Sequence, residues 1–144
     1  MSGKPQLDFD VIREPWNKYQ ILDGAVLKTK IVITRIQKQQ TDQNKSNYSF
    51  DMQALLIILS DERGKPDPKN YSPAELQAAV IKDDLRYTII SEEWNEYVVD
   101  DGARLRLKST VTRVGKTSLC DGAGIPQYWV ELNNITQVKT PRPG

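Results

Sequence analysis

The sequence predicts an all-β protein with one short connecting helix, in which a four-stranded unit occurs twice in tandem. Three observations lead there. The chain repeats itself. β-Branched and aromatic residues dominate the repeated runs. Asp-Gly pairs stand between extended runs, where a tight hairpin needs a residue that reaches positive φ.

Shifted by 78 residues, positions 9–36 lie on 87–114 without a gap, and 12 of the 28 positions are identical. The identities include Glu14/Glu92, Trp16/Trp94, Asn17/Asn95, Tyr19/Tyr97, Asp23/Asp101 and Leu27/Leu105. A weaker match continues at an offset of 80, with Tyr48/Tyr128, Met52/Leu132, Leu55/Ile135 and Ile58/Val138. The change of offset places a loop-length difference between the two stretches.

Each half then has the same predicted order. A short apolar strand comes first (9–12; 85–90), and a Trp-Asn-x-Tyr segment follows and runs into Asp-Gly. A long strand comes next (25–37; 103–115), and a polar loop leads to the last strand (48–59; 128–139). On the long strands, period two puts Leu27, Thr29, Ile31 and Ile33 on a core face, matched by Leu105, Leu107, Ser109 and Val111. Between the halves, Ser72-Pro73-Ala74-Glu75 reads as the capping box of a helix over 73–82, with Leu76, Ala79 and Val80 turned to the sheet.

The predicted organisation is thus repeat one at 1–60, a linker with the helix at 61–84, and repeat two at 85–144. Either each half is a small SH3-like barrel, or the halves interlock into one pseudo-two-fold barrel or sandwich. A half of about 60 residues buries little core alone, so packing of the halves into one compact unit is expected.

Composition narrows function. The formal net charge is +1, there is no histidine and there is one cysteine. Ser-His-Asp triads, Cys-His pairs and Cys/His zinc sites are therefore excluded. A lone thiol suits a reducing, cytoplasmic setting, and no apolar run reaches the roughly 18 residues of a membrane-spanning helix. We expect no cofactor, no metal, no catalytic residue, no small-molecule substrate and no membrane partner. Gly115-Lys116-Thr117 does not make a phosphate-binding loop, because position 110 is Thr and no helix follows.

The sharpest charge feature is a basic comb on the outward face of the long strands: Lys28 and Lys30, then Arg104, Arg106 and Lys108. It suits an anionic partner such as nucleic acid, or simply a solvated strand face. Trp16 and Trp94 read as core anchors. Trp129, opposite Ser49 in the first copy, is the aromatic that common packing does not demand, so it joins the basic residues as a candidate contact. Asp23 and Asp101 read as turn residues. Glu14 and Glu92 read as acceptors for backbone N–H groups or for Arg35 and Arg113. Loops 38–47 and 116–127 are equivalent rims, the first place to look for a partner. The leading expectation is a non-enzymatic protein-interaction or assembly module that binds a protein partner or self-associates into a homo-oligomer through its sheet edges and the two polar loops. Polyanion binding through the comb is the alternative, and a carboxylate-based enzyme or metal site is the third.

Overall fold

The computed structural model describes residues 6–40 and 46–140. Residues 41–45, in the first of the two predicted rim loops, lie outside the described residues. In chain order the elements are β1 (Gln6–Leu7), β2 (Phe9–Arg13), β3 (Asn17–Ile21), β4 (Val26–Gln40) and β5 (Ser46–Leu59). After them come α1 (Pro73–Ala78), β6 (Val80–Lys82), β7 (Tyr87–Ser91), β8 (Asn95–Val99), β9 (Arg104–Cys120) and β10 (Pro126–Lys139). None of the described helices is long and apolar enough to cross a membrane.

Two five-stranded antiparallel sheets form. The spine of the first is β4. One side of it pairs with β5 from Val26↔Leu59 to Gln40↔Ser46. The other side takes β3 near its start and β1 near its end, and β7 pairs with the far side of β3. The second sheet repeats this plan around β9, with β10 along one side, β8 and β6 on the other, and β2 beyond β8.

The halves exchange their first strands. From the N-terminal half, β2 pairs with β8; from the C-terminal half, β7 pairs with β3. Separate small barrels therefore do not form, and neither described sheet closes on itself. The exchange has a packing cause. Phe9 sets its ring edge-on to Tyr97 at 5.9 Å, and Tyr87 does the same to Tyr19 at 5.8 Å. Each first strand thus fills the core of the opposite half.

Two hydrophobic clusters result, and each draws on both long strands. One joins Ile31, Ile33 and Ile36 to Tyr97, Leu105 and Leu107. The other joins Tyr19, Ile21 and Leu27 to Val111, Val114 and Tyr128. All eight predicted core-face positions of the long strands are buried. The Asp-Gly hairpins form as predicted. Gly24 and Gly102 have φ of 98° and 91°, and Asp23 and Asp101 accept the N–H groups of Ala25 (3.0 Å) and Ala103 (2.9 Å).

Matched polar ties cross between the halves. The Asn17 amide donates to the Ser109 carbonyl at 2.9 Å, and Asn95 donates to Ile31 at 2.8 Å. Tyr19 donates to Glu92 and Tyr97 to Glu14, both at 2.7 Å. Tyr128 donates to Asp23 at 2.5 Å and Tyr48 to Asp101 at 2.6 Å. Burial, reinforced by the carboxylate each hydroxyl faces, pushes Tyr19, Tyr97 and Tyr128 well above the usual tyrosine range.

Two expectations on length are corrected. The helix ends at Ala78, not 82, because Val80–Lys82 turns into β6 and pairs with Thr117 and Lys116 of β9. Its capping box is present, and it lies against β9 and β10. The second rim loop is mostly strand, since β9 continues to Cys120 and only 121–125 turn. Gly115 does not end the strand. It lets Val80 pack on it: a Cβ there would meet the Val80 methyls at 3.0 and 3.1 Å.

Candidate functional site

The two long strands meet core to core, so their outward side chains lie on opposite sides of the molecule. This divides the predicted basic set. Lys28 and Lys30 belong to the outer face of the first sheet, where Trp16 lies beneath both at 5.5 and 5.7 Å. Lys18, opposite Lys28 in register, adds a third lysine. Arg104, Arg106 and Lys108 belong to the outer face of the second sheet. There Trp94 lies beneath Arg106 at 4.4 Å and Lys108 at 5.9 Å, and Glu96 sits 3.8 Å from Arg106.

Trp129 joins neither set. It stands at the far end of the second sheet beside Arg113, in a recess of about 310 Å³ shared with Gln77, Val80 and Ile81. Arg113 is itself paired with Asp83. Trp16 and Trp94 are not core anchors. Both are half-buried on outer faces under cations, and the buried aromatic anchors are Tyr19 and Tyr97.

The repeat-matched carboxylates have structural partners. Glu14 accepts the Ile33 N–H at 3.2 Å besides Tyr97, and Glu92 accepts Thr110 at 2.6 Å besides Tyr19. Neither pairs with Arg35 or Arg113, which take Asp51 and Asp83 instead. Burial opposes ionisation of Asp101, yet hydrogen bonds from Tyr48, Ala103 and Lys38 prevail and hold its carboxyl below the usual aspartate range. Among the described residues, no group of three or more acidic or Cys side chains could hold a metal ion. Lys116, in the rejected phosphate motif, lies within β9 and pairs with Glu62 at 2.5 Å.

Two surfaces stand out among the described residues. The first is the free edge of β5. From Ala54 to Leu59 every residue is apolar, and Leu55, Leu56, Ile57 and Leu59 are 41%, 44%, 38% and 52% exposed. Period two puts Leu55, Ile57 and Leu59 beside the lysines of β4 on the outer face, while Leu56 turns inward with Ile58, which packs against the core, so the outer face of this edge is bare. The second surface is a groove of about 500 Å³ on the outer face of the second sheet, lined by Ile12, Glu96, Arg104, Arg106, Gln137 and Lys139 among others.

Matched positions make both surfaces informative. In the first sheet Val26 faces Leu59 and Lys28 faces Ile57. In the second, Arg104 faces Lys139 and Arg106 faces Gln137. The same places hold an apolar pair in one sheet and a like-charged pair in the other, so the fold itself demands neither. Gln137, Lys139 and the 54–59 edge are absent from the sequence-derived candidates. Reading β5 against β10 position by position, rather than the long strands alone, is the signal that finds them. No family model matches this chain, and neither a curated protein nor a solved structure matches it.

Proposed function

We propose that the protein is a non-enzymatic assembly module that self-associates by pairing the β5 edges of two copies antiparallel, continuing the first sheet across the interface. The observation that carries this reading is the uncharged, exposed 54–59 run on an unpaired strand edge. Such an edge offers a row of free N–H and C=O groups together with apolar side chains, and exposed edges of this kind template pairing. An antiparallel pair about a two-fold axis is self-complementary. The electrostatics favour edge-to-edge contact over face-to-face contact. Stacking outer faces would press Lys18, Lys28 and Lys30 of one copy onto those of the other. In the continued sheet, by contrast, the β4 lysines sit three strand spacings apart, about 14 Å, beyond the screening length at physiological salt. The single half-buried cysteine accords with a reducing, cytoplasmic setting.

The test takes its substitutions from the matched positions of β10. Leu56→Thr, Ile57→Gln and Leu59→Lys install the residues found at 136, 137 and 139. Light scattering between about 1 µM and about 1 mM is expected to show a dimer for the native chain and a monomer for the triple variant. A native chain that stays monomeric throughout, or a variant that dimerises as well as the native chain, overturns the reading.

A further inference from the structure

The second sheet's outer groove stands apart from the β5 edge and needs its own account. Arg104 and Lys139 face each other directly across the β9–β10 ladder. Like charges so placed repel and destabilise a sheet. Among the described residues neither forms an ion pair that would offset that repulsion. At the matched place in the first sheet, Val26 faces Leu59 and no repulsion exists. Lys18 and Lys28 also face each other in the first sheet, so the like-charged pair alone is not diagnostic. What sets Arg104 and Lys139 apart is that they line a groove together with Arg106, where an anion can lie between them.

The surroundings define that anion. Arg106 is the next outward residue along β9, held between the Trp94 ring and Glu96, with Gln137 opposite it. Lys108 follows, also beside Trp94. The cations of β9 therefore recur every second residue, about 7 Å apart, in an extended row along one face. The groove is open rather than enclosed, and a row of this kind suits a linear anion with regularly spaced charges better than a compact one. Trp94, half-buried with Arg106 against it, adds an aromatic and guanidinium platform of the kind on which bases stack.

We infer that this face binds single-stranded nucleic acid, with phosphates held by Arg104, Arg106, Lys108 and Lys139 and a base against the Trp94–Arg106 pair. Trp129, Lys28 and Lys30 take no part.

The test measures fluorescence anisotropy of a labelled oligothymidylate of about 15 nucleotides, with native protein and with the double variant Arg104→Val, Lys139→Leu. That variant carries the residues of the matched pair Val26 and Leu59, and its fold is to be checked by thermal melting. Native protein should bind with log K falling against log salt at a slope of about −3, from four cations at about 0.7 each. The variant should bind at least about 10-fold more weakly, with the slope reduced by about 1.4. Lys28→Gln with Lys30→Gln, on the opposite face, should leave affinity unchanged. The inference is overturned by absence of binding at low salt, by equal loss in the Lys28/Lys30 variant, or by an unaltered slope in the Arg104/Lys139 variant. It is also overturned if pyrophosphate or a sulfated polysaccharide binds while the oligonucleotide does not.

Discussion

Removing a single hydroxyl tests the polar ties that lock the halves together. Tyr97 donates to Glu14 at 2.7 Å and is 1% exposed; Tyr19 donates to Glu92 at 2.7 Å and is fully buried. Tyr97→Phe and Tyr19→Phe each delete a hydrogen bond to a carboxylate, and Tyr97→Phe also removes the acceptor of the Asn95 amide at 2.9 Å, but neither carboxylate is orphaned. Glu14 keeps the Ile33 N–H and Glu92 keeps Thr110. The expected loss at neutral pH is therefore about 1.5–2 kcal/mol each, the lower part of the range for charged hydrogen bonds. Alkaline pH adds a signature that a mere packing defect lacks. Burial raises both hydroxyls above their unfolded value, so the native state keeps protons that the unfolded chain releases above about pH 10. Their contribution is complete below that pH and is lost as pH climbs through the native value. Each such tyrosine steepens the fall of stability by about 1.4 kcal/mol per pH unit. Urea unfolding between about pH 8 and about pH 11 should show each Phe variant parallel to the native protein below about pH 10, and with a slope shallower by up to that amount above it. Equal slopes above that pH for native and variant protein would refute the claim that these hydroxyls are held neutral against the carboxylates.

Two further perturbations test the fold. Gly115→Ala forces a methyl into the Val80 side chain and should lower stability by about 1–3 kcal/mol. Val80→Ala in the same chain should restore most of the loss, and a chemical melt showing no restoration would mean that β6 does not close on Gly115. Asn17→Ala and Asn95→Ala each leave a buried carbonyl, of Ser109 or Ile31, without its donor, so each should lose about 1–3 kcal/mol in urea unfolding. Asn17 also accepts the Glu93 N–H and Asn95 also donates to Tyr97, so a loss well below about 1 kcal/mol in either variant would refute the tie it makes.

Patterns confined to one strand were readable in the sequence, and patterns that depend on a neighbour were not. Alternation placed Leu27, Ile31, Leu105 and Leu107 in the core, and Asp-Gly located both hairpins, because side-chain parity and positive φ are local properties. The exchange of β2 and β7 was not readable. Phe9 and Tyr87 announce a core face without saying whose core it is. The tryptophans misled by size. Asn17, Tyr19 and Ile21 all point inward, and the same parity carried back one residue turns Trp16 outward with Lys18. The unbroken apolar run at 54–59 suggests a strand covered on both faces, yet β5 has only one neighbour. Of the basic residues, the comb itself was legible. Its division between opposite faces, and the addition of Lys139, appear only once β10 is registered against β9.

Strand exchange couples the interiors of the two halves and leaves outward positions free to differ. Both core clusters draw on both halves: Ile33 shares one with Leu105, and Leu27 shares the other with Val111. A change on an inner face is therefore felt in both halves, and interior identities such as Tyr19/Tyr97 and Leu27/Leu105 are held by a common packing problem. Outward positions carry no such constraint. Val26 and Leu59 can be apolar while Arg104 and Lys139 are charged, because neither pair enters the shared core. The consequence is one interlocked scaffold with cations on both outer faces, flanked by an apolar β5 edge in the first sheet and by Gln137 and Lys139 in the second. Joining copies through β5 would leave the second sheet's outer face of each on the opposite side of the assembly, free to bind, so the two surfaces can operate together on one molecule.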